Sequence, residues 1–298
     1  MADTGYVLLE ARGIVTVGGK DAAEFLQGLI SNDIERVTAE RAIWAALLTP
    51  QGKYLHDFFI TLVDGMYFLD CEKSRLMDLG QRLSRYKLRA QIDLGIAGDH
   101  VVAAMPGAES VAKLSLLAEP GAARPVDGGA VYVDPRLVAV GARAVLPKDG
   151  ADATLQSMGF SPVSFEDYDQ VRLAEGVPDG SRDLVVEKSI LLESNFEDLH
   201  GVDWNKGCYM GQELTARTKY RGLVKKRLLP VDIDGETPEA GSQILLDGKD
   251  AGEMRSAANG RGLALLRLEK FEQALRDGGE LRSGDATLRP RKPDWATI

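Results

Sequence analysis

Apolar residues recur along this chain with two different periods, and the switches between them mark the elements. "GIVTVGGKDAAEFLQGLISNDI", from Gly13, alternates as a strand, breaks at Gly18-Gly19, then places Phe25, Leu26, Leu29 and Ile30 on one helical face. Asp21, with Glu24 three residues on, predicts an Asp-led analogue of the capping box where that helix starts. "IWAALLTPQGKYLHDFFITLVDGMYFLDC" reads as strands broken at Pro50-Gln51-Gly52 and at Asp64-Gly65, the pattern of antiparallel hairpins. An amphipathic helix follows within 72–90, where Leu76, Leu79 and Leu83 keep helical spacing among charges. From His100 to Leu146, short apolar runs separated by Ala, Gly, Pro and Asp predict short strands and loops. "SFEDYDQVRLAEGVP" predicts a helix with Ser164 as N-cap, ended by Gly176 and Pro178.

Beyond Gly222 the pattern changes to strand-like pieces joined by Asp-Gly and Asn-Gly turns, which predicts a small C-terminal β-barrel with "EKFEQALRDGG" as a helical insertion. Helices segregated from antiparallel strands define an α+β fold of mixed antiparallel sheets and helices. The predicted boundaries are 1–222, with two interleaved subdomains, and 223–298 for the barrel. Neither a GxGxxG nor a GxxxxGK[ST] loop is present, which argues against dinucleotide and P-loop chemistry.

Charge narrows the reading further. A net charge of −9 over 298 residues argues against a general nucleic-acid or membrane-surface role. The run "RTKYRGLVKKR" nonetheless carries basic residues and no acid, so Lys225, Lys226 and Arg227 could meet an anionic ligand or lie on a solvated face. No apolar run is long enough for a membrane helix. The N-terminus "MADTGYVLLEARG" lacks the pattern of a secretory signal or a transit peptide, which predicts a cytoplasmic protein.

Two cysteines far apart, Cys71 and Cys208, make neither a disulfide framework nor a CxxC pair. Cys71 ends an apolar strand and reads as structural. Cys208 sits in "KGCYMGQELTAR" between Gly207 and Gly211, beside Lys206 and just ahead of a predicted helix. Glycines there allow a tight exposed turn, and a helix N-terminus with a nearby ammonium favours a thiolate. Two other readings stay open: Cys208 as a small filler of that turn, and a Cys–His nucleophile using His56 or His200. Trp44, Trp204 and Tyr209 are either stacking platforms for a flat ligand or core residues. Asp57, in an alternating strand, faces either a cleft or, as the pattern favours, a solvated outer surface.

The stretch from Lys206 to Arg217 resembles the K-G-C-Y-x-G-Q-E signature of the YgfZ family, folate-binding iron–sulfur maturation factors related to the T-protein aminomethyltransferase of the glycine cleavage system. "GKDAAEFLQGLISNDI", "LTPQGKYLHDFFI", "VRLAEGVP" and "LESNFEDLHGVDWNKG" are similar to successive family blocks, in the same order. The resemblance implies an aminomethyltransferase-like, ring-shaped fold whose channel holds tetrahydrofolate. It implies a role in assembly or repair of [4Fe-4S] proteins, with A-type carriers and radical-SAM tRNA-modifying enzymes as partners, and no direct contact with nucleic acid or membrane.

By the same match Cys208 is the functional thiol, set among Lys206, Gly207, Tyr209, Gly211, Gln212, Glu213 and Arg217. One thiolate cannot hold a cluster, but with a partner's thiolates it serves as a shared iron–sulfur ligand. Block position offers Asp57, Glu193, Asn195 and Trp204 as folate contacts. The sequence departs from the T-protein pattern: Arg172-Leu173-Ala174-Glu175-Gly176 shifts an expected glutamate by one position, and His56-Asp57 stands where paired aspartates are expected. These changes favour a non-enzymatic maturation factor over the alternative, a folate-dependent aminomethyl or one-carbon transferase.

Overall fold

The computed structural model describes residues 4–222, 224–277 and 279–298. In chain order its first elements are β1 (Gly5–Leu8), β2 (Arg12–Gly18), α1 (Ala22–Gln27), β3 (Ile43–Leu48), β4 (Tyr54–Val63), β5 (Met66–Glu72) and α2 (Leu76–Tyr86). Then come β6 (Asp93–Ile96), β7 (His100–Pro106), α3 (Ala108–Lys113), β8 (Ala123–Val126), β9 (Gly129–Val133), β10 (Gly141–Pro147), α4 (Ala151–Ser157) and β11 (Ser161–Pro162). The remainder is α5 (Phe165–Glu175), α6 (Gln212–Tyr220), β12 (Lys226–Asp234), β13 (Gln243–Leu246), β14 (Lys249–Ala258), β15 (Arg261–Arg267), α7 (Leu268–Asp277), β16 (Leu281–Ser283) and β17 (Ala286–Pro290).

Packing divides the chain into two units, each discontinuous in sequence. The first contains residues up to Leu48, Leu55–Tyr168 and His200–Met210; the second contains Thr49–Tyr54, Asp169–Leu199 and Gly211–Ile298.

Unit one holds two sheets. One has the order β3-β4-β5-β2-β6 and the other β11-β1-β7-β10-β9-β8. The β4–β5 hairpin turns at Asp64 (φ 47°) and Gly65 (φ 79°), the paired left-handed residues that match strand twist in a two-residue turn. α1 and α2 cover the first sheet: Leu26, Leu79 and Leu83 are fully buried with Val17, Phe58, Ile60 and Leu69. Each such side chain contributes roughly 1.5–3 kcal/mol. The Asp-led capping box expected at α1 does not form. The Asp21 carboxylate instead accepts from the Gln91 N–H at 2.7 Å, tying the helix start to the segment before β6. At α5 the box is present, with Ser164 and Asp167 bonding reciprocally. α3, in a stretch read as strands and loops, is six residues long, too short for a helical period to show.

Unit two holds a closed barrel, β12-β15-β14-β13-β16-β17, with α7 inserted between β15 and β16. Leu229, Val231, Ile244, Leu246, Met254, Leu266, Leu281 and Leu288 fill it, and Phe271 and Ala274 of α7 pack on the same core. α5 reaches into this unit through Arg172, whose guanidinium is fully buried. It meets Asp169 at 2.5 Å, Asp183 at 2.8 Å and the Ser256 hydroxyl of β14 at 2.8 Å. The Arg-Leu-Ala-Glu-Gly block therefore anchors the barrel.

Candidate functional site: the Cys208 strap

Residues 200–210 lie across the segment that follows α1, and almost every bond between them runs from one short stretch to the other. Asn32 donates its amide to the His200 carbonyl and Ser31 its hydroxyl to the Gly201 carbonyl. Asp203 N–H donates to the Ser31 carbonyl at 3.1 Å, and Met210 N–H to the Gly28 carbonyl at 3.0 Å. The Asp203 carboxylate accepts from the N–H groups of Asn205 and Lys206, a local Asx-type turn that starts the loop.

Lys206 is the central anchor. Its ammonium donates to the carbonyls of Gln27 at 2.9 Å, Ile30 at 2.7 Å and Asn32 at 2.8 Å. An ammonium has three N–H donors; Gln27 offers a carbonyl at the C-terminal end of α1, where intrahelical partners run out, and Ile30 and Asn32 offer theirs from the segment that follows. Tyr209 is buried, with its ring centroid 5.1 Å from the same Nζ. Burial pushes the Lys206 ammonium down to about 8, with Asp33 and Asp203 opposing the change.

Side chains along the strap therefore alternate in role. Lys206 and Tyr209 point into unit one and hold it, while Cys208 between them is exposed. All three donors of Lys206 are taken by main-chain carbonyls, so this residue is first of all an anchor of the strap, its charge held two residues from Cys208. Gly211, at φ +81°, caps α6 in a conformation that favours glycine. Gly207 has no such demand, since a Cβ built there meets nothing described within 4 Å. The fold does not need glycine at 207, which leaves the flank of the thiol open. Gln212, Glu213 and Arg217 lie on α6 in unit two, the last two exposed.

The Cys–His reading loses its histidine at 56. His56 is buried, its Nε2 meets Asp78 at 2.8 Å, and burial with the Arg75 charge pushes its pKa down to about 4. Cys71 is buried in the sheet core, where burial raises its thiol to about 12. Asp57 does not lie on a solvated face: it is buried, and its carboxylate accepts from the Trp44 indole N–H at 2.9 Å. That bond makes Trp44 a core residue. Among the described residues, no group of three or more His, Cys, Asp or Glu side chains is placed to hold a metal ion.

The folate candidates fall in both units. Asp57 and the half-buried Trp204 belong to unit one; Glu193 and Asn195 belong to unit two. Asp57 is engaged inside the protein. Asn195 is a buried left-handed residue (φ 64°) whose Nδ2 donates to the Leu228 carbonyl at 2.6 Å, while its Oδ1 is buried with no hydrogen-bond partner among the described residues. Glu193 is half-buried, and burial lifts its pKa against the opposing charges of Lys226 and Lys53. The half-buried Glu193 is thus the accessible one of the two, while the Asn195 amide lies inside the protein. Arg227, one of the basic run that could meet an anionic ligand, is buried and paired with Asp198.

This fold and barrel define the class. The structure matches that of glycine cleavage system aminomethyltransferase T from Bartonella henselae with a TM-score of 0.79 over 99% of this chain and 87% of that one, at 16% identity. The fold is thus aminomethyltransferase-like, and residues 225–298 match the family described as CAF17, C-terminal beta-barrel domain. Over 96% of its length the chain is 33% identical to the mitochondrial iron–sulfur cluster assembly factor IBA57 of Mus musculus, and equally to that of Homo sapiens, covering 84% of each. The chain belongs to the IBA57 family of iron–sulfur cluster assembly factors. These relatives are described as mitochondrial, which overturns the cytoplasmic expectation drawn from the N-terminal residues. No helix among the described residues is long and apolar enough to cross a membrane.

Proposed function

We propose that this protein is an accessory factor for assembly or repair of [4Fe-4S] proteins, with Cys208 offering one thiolate to a cluster that a partner's thiolates complete. The observation that carries this reading is the division of labour along the strap: Lys206 and Tyr209 anchor it, and Cys208 between them is exposed and bears the one reactive group on its outer side, beside the exposed Asn205 and Gly207. A thiolate is the principal protein ligand of such clusters, and a single exposed one suits transfer better than storage. The cluster is cargo. Partners of matching chemistry are A-type carriers and client enzymes, radical-SAM tRNA-modifying enzymes among them.

Tetrahydrofolate is the accompanying ligand in this reading, with the half-buried Glu193 as the polar contact of the candidate set that remains accessible to it. It would supply a one-carbon or redox-active pterin; this residue would orient its polar edge. Titration of tetrahydrofolate into wild type and Glu193→Gln, followed by fluorescence, tests this contact, with weaker binding by the variant expected.

The deciding experiment measures a [4Fe-4S] radical-SAM enzyme's activity in cells lacking this protein, restored with wild type or Cys208→Ser at equal abundance. Restoration by wild type alone is expected. Restoration by both makes Cys208 a turn filler, and restoration by neither removes the assembly role and leaves aminomethyl transfer as the activity to assay.

A further inference from the structure

The segment that receives the strap also forms one wall of a small cavity within unit one. It is a half-open pocket of about 150 Å³ lined by Asn32, Arg36, Arg41 and His200 together with Ala42, Ile43 and two prolines. That is enough for a few waters or a small ion and below the ~300 Å³ at which drug-sized ligands are held. No carboxylate lines it. Arg36 reaches one acid, Asp203, at 3.3 Å through a single nitrogen. Arg41 is half-buried, and its guanidinium has no hydrogen-bond or ion-pair partner among the described residues. Its nitrogens are not among the buried polar atoms left without a partner, so the guanidinium meets solvent, as does that of the exposed Arg36, and its planar fork is free to match a carboxylate or phosphate with two parallel bonds.

The geometry assigns to Arg36, Arg41 and His200 a binding site for one small oxyanion, a phosphate or a short carboxylate. Its position links it to the strap. The acid that Arg36 meets is Asp203, whose other oxygen accepts the N–H groups of Asn205 and Lys206. The Asn32 side chain holds the His200 carbonyl while its own carbonyl accepts from Lys206. An anion at Arg36 competes with Asp203 for that guanidinium, so occupancy shifts the strength with which the strap is pinned and, with it, access to Cys208. This inference needs no client protein and stands apart from the cluster role.

The test uses the full chain with inorganic phosphate, sodium glutamate and sodium chloride at matched ionic strength. Affinity is read from the saturable shift in thermal unfolding. Access is read from the alkylation rate of Cys208 by iodoacetamide, since Cys71 is buried. Phosphate or glutamate is expected to stabilise the wild type beyond chloride and to change the alkylation rate at least twofold; Arg41→Gln should weaken the apparent affinity at least tenfold. Because the Arg41 side chain makes no hydrogen bond or ion pair among the described residues, that variant is expected to fold normally, and Arg41→Lys should retain part of the binding. A response to phosphate alone, or to glutamate alone, supports the site and identifies the source of the oxyanion. No response beyond chloride, or equal responses in wild type and Arg41→Gln, overturns it.

Discussion

Unit one buries cations in two different ways. At the strap, Lys206 is surrounded by neutral carbonyls and its ammonium is pushed down to about 8. Around Phe59, by contrast, Arg143 meets Asp70 at 2.7 Å, Arg12 meets the same carboxylate at 2.6 Å, and Arg136 is forked onto Asp134. The ring of Phe59 lies 3.9 Å from the Arg143 guanidinium carbon and 4.7 Å from that of Arg136. There the carboxylates hold Arg143 well above its ordinary range despite full burial. Carbonyl dipoles can seat a charge without matching it, which suits a loop anchor; a full countercharge locks the sheets for good.

The sharpest way to break the contrast is Asp70→Asn. It leaves two buried guanidinium groups without their anion and should cost about 3–5 kcal/mol, read by urea denaturation. Asp70→Asn should fold poorly while the strap bonds of any folded fraction persist.

Next comes acid. Free histidine takes its proton near 6.5, but folded His56 does so only at about 4, so between these values the unfolded chain binds more protons. Stability should fall as pH is lowered through that window, by about 3 kcal/mol at most, and His56→Gln should flatten the profile in calorimetric scans.

Lys206→Met removes the strap's anchor at similar length. Three carbonyls lose their donor, at about 1–3 kcal/mol in equilibrium unfolding, and proteolytic cleavage within 203–210 should rise far more than global unfolding predicts. An unchanged cleavage rate would mean that the bonds of Asp203 and Met210 suffice.

The smallest effect belongs to Gly207→Ala. With nothing described within 4 Å of the new methyl group, stability should stay within about 0.5 kcal/mol. Alkylation of Cys208 by iodoacetamide should hardly change, whereas a bulky aromatic disulfide should react several-fold more slowly if the open flank is what glycine provides.

Much of this was legible in the chain. The period-two and helical patterns located the strands, α2 and the barrel, because burial of one face writes itself into local spacing. The odd company of Cys208 marked the strap. The Asx-type turn at Asp203 was missed; the only local hint was the residue type, since a short acid readily bonds the main chain two residues on. What could not be read was the direction of Lys206. Its three acceptors lie 174 to 179 residues earlier and are main-chain carbonyls that any side chain could carry. The same holds for Asp57, whose alternating strand suggested a wet face because the pattern does not show that both faces of β4 are covered.

By itself the sequence determined the α+β class, the C-terminal barrel and the position of the reactive candidate, because these depend on spacing and residue type within short windows. Only the tertiary structure decided that Lys206 is an anchor, that His56 belongs to Asp78, and that Arg41 faces a cavity. Those roles depend on which distant backbone and charged groups meet, and no local pattern carries that information.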